Sequence, residues 1–267
     1  MHMEPVIEVR NLVTRYGSRK ILDDVSLSVE AGEIRVIMGG SGSGKSTLLR
    51  YLLGLHPADG GEIRLFGRDI SRLSGREWLE IRRRTGVSFQ GGALFNSMTV
   101  GENVMMPLRE HTSLDETTMR IMSRMKLEVV NLAGYEHLMP SQLSGGMVKR
   151  AALARAIVMD PAILFFDEPS AGLDPVVASE LDDLILRIRD AMQVSIVVVT
   201  HELDSAFKIA DRITVLDRGR ILLTGTVEEV RNCDNERVRN LLNRTSEESA
   251  VDADEYLRRL TEGAIRV

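Results

Sequence analysis

Apolar positions along this chain change regime several times. Val6–Val13 alternates apolar and polar residues, the period of a strand with one buried face. Ile21–Val29 and Ile34–Met38 read as strands joined through Glu30-Ala31-Gly32-Glu33, a turn in which glycine supplies positive φ. Lys45 to Gly54 reads as a helix, Pro57–Gly61 as a loop and Glu62–Phe66 as a further strand. Trp78–Arg84 reads as a helix whose basic flank, Arg82 to Arg84, forms a solvated face. Thr85–Phe89 is a short apolar strand with Gln90 at its end.

From about 91 to 159 the character shifts. Apolar residues recur at helical spacing and methionine is dense, which predicts a helical insert between sheet strands with methionine as an adaptable core residue. Val148–Met159 is one of its helices. Beyond it, Ile163–Phe166 is apolar throughout and Val194–Val199 is apolar but for Ser195. Between them, Pro175 opens a helix running to about Met192. A helix at Leu203–Ala210 and strands at Ile213–Leu216 and Ile221–Leu223 follow, the last two joined by the turn Asp217–Arg220. Near-continuously apolar strands alternating with helices indicate a parallel sheet covered on both faces. Residues 4–244 therefore read as one unit containing the insert. Residues 245–267 read as a polar tail ending in a short helical pattern (Tyr256, Leu257, Leu260) that packs on a partner.

Composition narrows the class. The 267 residues are 43% hydrophobic and 27% charged, which suits a globular chain able to bury a core. A net charge of -5 implies no sequence-blind affinity for nucleic acid. The single cysteine, Cys233, excludes an intrachain disulfide and suits a reducing cytosol. No stretch approaches the roughly 20 apolar residues that span a bilayer, and Met1–Pro5 lacks a signal-peptide layout. Any membrane role is expected to come through a partner.

Gly39-Gly40-Ser41-Gly42-Ser43-Gly44-Lys45-Ser46-Thr47 fits G-x-x-x-x-G-K-[ST], with a strand leading in and a helix leading out. Glycines let successive N–H groups curl toward phosphate oxygens, and the helix start adds unpaired donors and a positive dipole end. Lys45 supplies a point charge for the outer phosphates. Ser46 offers a hydroxyl to Mg²⁺, a hard cation that prefers oxygen.

Asp167 and Glu168 follow a buried strand directly. In a chain with a phosphate loop, Asp167 is suited to holding the Mg²⁺ of a nucleotide and Glu168 to orienting an attacking water. His201 ends the next apolar strand and is a candidate for contacting the terminal phosphate. Tyr16 stands before a turn, where edge packing and stacking on a purine are equally open readings. Ser144-Gly145-Gly146 caps a helix with approachable N–H groups, a second anion-grade helix start. Two such starts in one chain need two ligands, or one ligand shared by two chains, and two-fold symmetry satisfies the second option twice.

Gly39–Thr47, Gln90, Leu143–Met147, Ile163–Glu168, Ser170–Asp174 and His201, in this order, resemble the nucleotide-binding subunit of ATP-binding cassette (ABC) transporters. The resemblance covers roughly Glu4 to Leu242. It implies an α/β fold of the P-loop NTPase type, with a mixed sheet core, an antiparallel β subdomain and an inserted helical subdomain. It also implies ATP and Mg²⁺ as cofactors. Tyr16 matches the aromatic that stacks on adenine, and Ser46, Gln90 and Asp167 match the Mg²⁺ shell. Glu168 matches the catalytic base and His201 the switch histidine. Asp174 matches the loop that addresses the opposite site, and Ser144, Gly145 and Gly146 match the signature that contacts ATP bound to the other subunit.

Gly91–Phe95, Met106–Thr112 and Gly145–Ile157 look like the ATPase of Mla/MCE-type phospholipid transporters. Met147 departs from the glutamine usual in the wider family; the lipid-transport branch tolerates methionine there. This narrower resemblance implies a motor for a permease that moves phospholipid between inner and outer membrane, maintaining outer-membrane lipid asymmetry. The implied partners are a second copy of the chain, an integral membrane permease, an MCE-type lipid-binding subunit and a small accessory subunit, with no nucleic acid. The implied location is the cytoplasmic face of the inner membrane, peripheral through the permease. The rivals are an ABC ATPase of a polar-solute importer, a non-transport ABC ATPase, and a pseudo-enzyme that only binds ATP.

Overall fold

The computed structural model describes residues 5–243; the tail expected to pack on a partner lies outside them. The chain runs β1 (Ile7–Tyr16), β2 (Arg19–Val29), β3 (Ile34–Met38), α1 (Lys45–Leu52), β4 (Gly60–Leu65) and β5 (Arg68–Asp69). It continues through α2 (Gly75–Arg83), β6 (Thr85–Ser88), α3 (Val100–His111), α4 (Glu116–Val129), α5 (Gly145–Ala156) and β7 (Ile163–Asp167). Then come α6 (Pro175–Met192), β8 (Ser195–Thr200), α7 (Leu203–Ile209), β9 (Arg212–Asp217), β10 (Arg220–Gly225), α8 (Val227–Arg231) and α9 (Glu236–Leu242).

Two sheets form. One is antiparallel, in the order β2-β1-β4-β5; the other is mixed, in the order β10-β9-β3-β8-β7-β6, with only β10 antiparallel to its neighbour. The fold is α/β, as expected. The turn at 30–33 carries Gly32 at φ +75°, but β2 and β3 do not pair; they enter different sheets. The burial pattern gives the reason. β2 is buried on alternate positions and lies along β1, whereas β3 is buried at every position and fits only between β8 and β9.

The parallel strands sort their side chains by period two. Val36, Met38, Leu164, Phe166 and Val198 face a core shared with α3, α5 and α6. Ile37, Phe165, Val197 and Val199 face a second core shared with α1 and the antiparallel sheet. Arg35, the charge inside the otherwise apolar β3, is buried, bonds Glu33 at 2.7 Å and donates to Thr214 Oγ1 at 3.1 Å. A buried cation is tolerable here because it is paired and hydrogen-bonded.

The insert is helical, as the periodicity predicts. Thr99 and Glu102 form a capping box at α3, and Asp115 caps α4. α5 begins at Gly145 and ends at Ala156, three residues ahead of the expected bounds at both ends, because Ser144 Oγ accepts from Met147 N and draws both glycines into the first turn. Met105 and Met119 are core residues, while Met125 is exposed. The basic run after Trp78 is solvated but not idle: Arg84 stacks 3.8 Å from the centre of the Phe66 ring. Among the described residues no helix is long and apolar enough to cross a membrane.

Candidate active site

The loop between β3 and α1 folds as the motif requires. At Gly39 a Cβ would stand 2.1 Å from the Leu216 carbonyl oxygen and 2.5 Å from Ser43 Oγ, so any side chain would displace β9 or the loop itself. Gly44 has φ +108° and caps α1 without a side chain, leaving the first-turn N–H groups uncapped. Lys45 is buried and donates to the carbonyl oxygens of Gly39 (2.7 Å) and Gly40 (3.0 Å). Burial lowers its ammonium below the usual lysine range, against the pull of Glu168 and Asp167. Ser43 Oγ is buried without a partner.

Asp167 ends β7, and its Oδ1 is also buried and unpartnered. Burial raises its carboxyl above the ordinary value, as does the neighbouring Glu168 charge, while Arg50, Lys45 and Lys149 oppose the shift. An orphaned carboxylate oxygen beside the phosphate loop fits a hard divalent cation, which would supply the missing partner. The exposed hydroxyl of Ser46 and the amide of Gln90 add the neutral oxygens such an ion takes alongside phosphate.

Glu168 occupies φ +48°, directly before Pro169, where a ring already restricts the backbone. Several bonds hold it there. Its N–H donates to Val199 O at 2.8 Å, and Oε2 accepts from Thr200 Oγ1 (3.0 Å) and His201 N (3.3 Å). Oε1 lies 2.8 Å from His201 Nδ1. β7 and β8 pair in parallel with Asp167 opposite Val199, and this register brings residues 167–168 beside 200–201.

A cavity of about 920 Å³ opens over these groups, lined by Gly39–Gly42, Lys45, Ser46, Gln90, Glu168 and His201. Of the remaining predicted site residues, Ser43, Gly44, Thr47 and Asp167 belong to the same loop and strand end but do not line it. Tyr16 lies apart, half-exposed at the end of β1, paired with Arg19 across the β1–β2 turn. Ser144 and Gly145 lie exposed at the start of α5, and Gly146 half-buried; none lines the cavity. Asp174 caps α6, its Oδ1 accepting from Val176 N and Val177 N at 3.1 Å each.

The far wall is new. Glu202 and Asp217 line it, and α9 contributes Arg237, Asn240 and Leu241. The sequence carried a signal for this region: Thr226-x-x-Glu229 is a capping box at α8, and Asn235 caps α9. Lys149, on α5, is the other residue that the motifs did not single out. It is buried and donates to the carbonyl oxygens of Gln90 and Glu168.

A family model described as "ABC transporter" matches residues 22–171. The chain is 42% identical over 260 residues to the "Intermembrane phospholipid transport system ATP-binding protein MlaF" of Haemophilus influenzae, covering 96% of this chain and 98% of that one. It is 43% identical over 243 residues to the "Probable ribonucleotide transport ATP-binding protein mkl" of Mycobacterium leprae, covering 91% of this chain and 70% of that one. Among solved structures, the dimeric post-hydrolysis state of an ATP-binding cassette bound to ADP and Pi superposes with a TM-score of 0.76 at 29% identity, covering 83% of this chain and 98% of that chain.

Proposed function

This chain belongs to the ABC transporter family and is an ABC-type ATPase, and on that premise we propose that it drives a permease moving phospholipid between two membranes. The observation carrying the lipid reading is the similarity to MlaF along nearly the whole length of both chains. The Mycobacterium leprae relative, 43% identical, favours a polar substrate by its name, but this chain spans only 70% of it.

The proposed chemistry follows from the side chains. ATP phosphates take the uncapped N–H groups of α1 and the ammonium of Lys45, which exchanges its two loop carbonyls for phosphate oxygens. Ser46, Gln90 and Asp167 would hold Mg²⁺, which when bound neutralises charge on the phosphate oxygens. Glu168 aligns water for in-line attack on the terminal phosphate. His201 sits on Glu168 and faces the same cavity, positioned to report the terminal phosphate to the carboxylate.

Ser144–Gly146 lie outside the cavity, which supports a second copy as the source of the missing donors. The solved relative bound to ADP and Pi is dimeric. Two chains closing on two nucleotides, and opening after hydrolysis, would give a stroke that the helical insert passes to an integral permease. The protein would then sit at the cytoplasmic face of the membrane, with lipid-binding and accessory subunits in the same assembly.

The test is ATPase activity with the membrane partner in nanodiscs, with and without phospholipid. Stimulation by phospholipid that is absent in Glu168→Gln is expected. Turnover indifferent to phospholipid but responsive to a polar solute would replace the lipid reading with the importer.

A further inference from the structure

α5 has a second role, facing its own subunit. One turn after Gly145–Gly146, Lys149 reaches the carbonyl oxygen of Gln90, where β6 hands over to the insert. It also reaches the carbonyl oxygen of Glu168 at 3.1 Å. Further along α5, Arg155 donates to the carbonyl oxygens of Gly92 and Ala93 at 2.7 Å each. Val148 packs so close to Gly92 that a Cβ there would stand 2.8 Å from its Cγ1. One helix therefore fastens the whole segment 90–93, and through Lys149 it also fastens the strained backbone of Glu168.

We infer that Lys149 is a positioning residue that locks Gln90 and Glu168 of its own subunit to the helix whose start faces the other subunit. The inference rests on Glu168 being the residue that aligns water. The physical basis is local. A left-handed residue before proline has no intrinsic preference for its place and keeps it only if its surroundings over-determine it. A buried ammonium bonded to its carbonyl is one such restraint. Because the same ammonium also holds Gln90, a shift of α5 moves both groups together. Docking of the signature in one site and alignment of the carboxylate in its own site thus become one motion.

The experiment is steady-state ATPase kinetics and nucleotide binding on Lys149→Met, Lys149→Gln and Lys149→Arg, with Glu168→Gln alongside. Lys149→Met removes the donor to the Gln90 carbonyl and leaves that of Glu168 with Ala171 N alone, at 3.3 Å. It is expected to lower kcat by about tenfold to a hundredfold, as small misplacements of reacting groups do, with KM for ATP changed by less than about twofold. Lys149→Arg keeps a charged donor and is expected to recover most of kcat; Lys149→Gln should fall between. Unchanged kcat in Lys149→Met would overturn the inference. So would parallel losses of kcat and ATP affinity with a lowered Tm in all three variants, Lys149→Arg included, since that is a packing role. Normal hydrolysis by Glu168→Gln would instead remove the site assignment on which the inference stands.

Discussion

His201 Nδ1 and Glu168 Oε1 lie 2.8 Å apart, with the imidazole more than half exposed to the cavity and the carboxylate nearly covered. Thr200 Oγ1 and His201 N bond the other oxygen, Oε2. The carboxylate is thus held by both oxygens on the strand end that carries His201. A group so fixed can align a water molecule without reorganising first.

Glu168→Gln is expected to keep ATP binding and to trap the nucleotide-bound dimer, with turnover lowered by about two to four orders of magnitude. Size-exclusion chromatography with ATP, beside a phosphate-release assay, measures both. Near-normal hydrolysis would take Glu168 out of the reaction. His201→Ala should also lose turnover while binding ATP.

Lys45→Ala should weaken ATP binding by roughly 1.5–3 kcal/mol, the worth of hydrogen bonds to a charged group. Fluorescent-nucleotide titration reads this directly. Affinity equal to the parent's would mean that Lys45 keeps its bonds to Gly39 and Gly40 with nucleotide bound.

Tyr16 offers a half-exposed ring at the end of β1. If it stacks on adenine, Tyr16→Ala should cost about 1–3 kcal/mol of ATP affinity, while Tyr16→Trp keeps it. Equal binding by all three proteins would leave Tyr16 as edge packing.

Asp182 on α6 is buried and accepts from Ser205 Oγ on α7. Burial raises its carboxyl above the ordinary value, only partly offset by Ser205 and Lys208 and reinforced by Asp183. The unfolded chain therefore ionises this group first as pH rises. Stability from it is full below about pH 4 and is lost as pH climbs through the raised native value. Asp182→Asn keeps an acceptor for Ser205 without the buried charge. The difference in Tm, variant minus parent, should be more positive near pH 7.5 than near pH 4; a difference independent of pH would refute this.

Gly86 on β6 has no room for a side chain: a Cβ would stand 2.1 Å from the Ala156 carbonyl oxygen and 2.7 Å from Leu164 Cδ2. Gly86→Ala should destabilise the protein by about 1–3 kcal/mol, as overpacking does, seen in chemical denaturation. No change would mean that α5 slides on the sheet at little cost.

The parallel core and the phosphate loop were legible because each rests on local chemistry. A short apolar, β-branched run such as Ile196–Val199, alternating with helical patterns, fits a covered strand, and Gly39–Thr47 carries its own backbone geometry. The pairing of β2 was not legible, because a turn such as 30–33 looks the same whether it closes a hairpin or passes a chain between sheets. α8 and α9 are not legible from periodicity although Thr226 and Glu229 mark a helix start, because short helices leave too few periodic positions to stand out.

By itself, the sequence determined which residues could bind phosphate, hold a hard cation and align water, since those follow from side-chain type next to a strand end or helix start. Tertiary structure alone decided which of them meet. The parallel register of β7 and β8 sets Glu168 against His201, residues 33 positions apart. The packing of α5 brings Lys149 onto Gln90 and Glu168, and α9 closes the far wall of the cavity. Such meetings depend on strand order and helix placement, which come from burying whole faces together, and no local stretch of sequence encodes that.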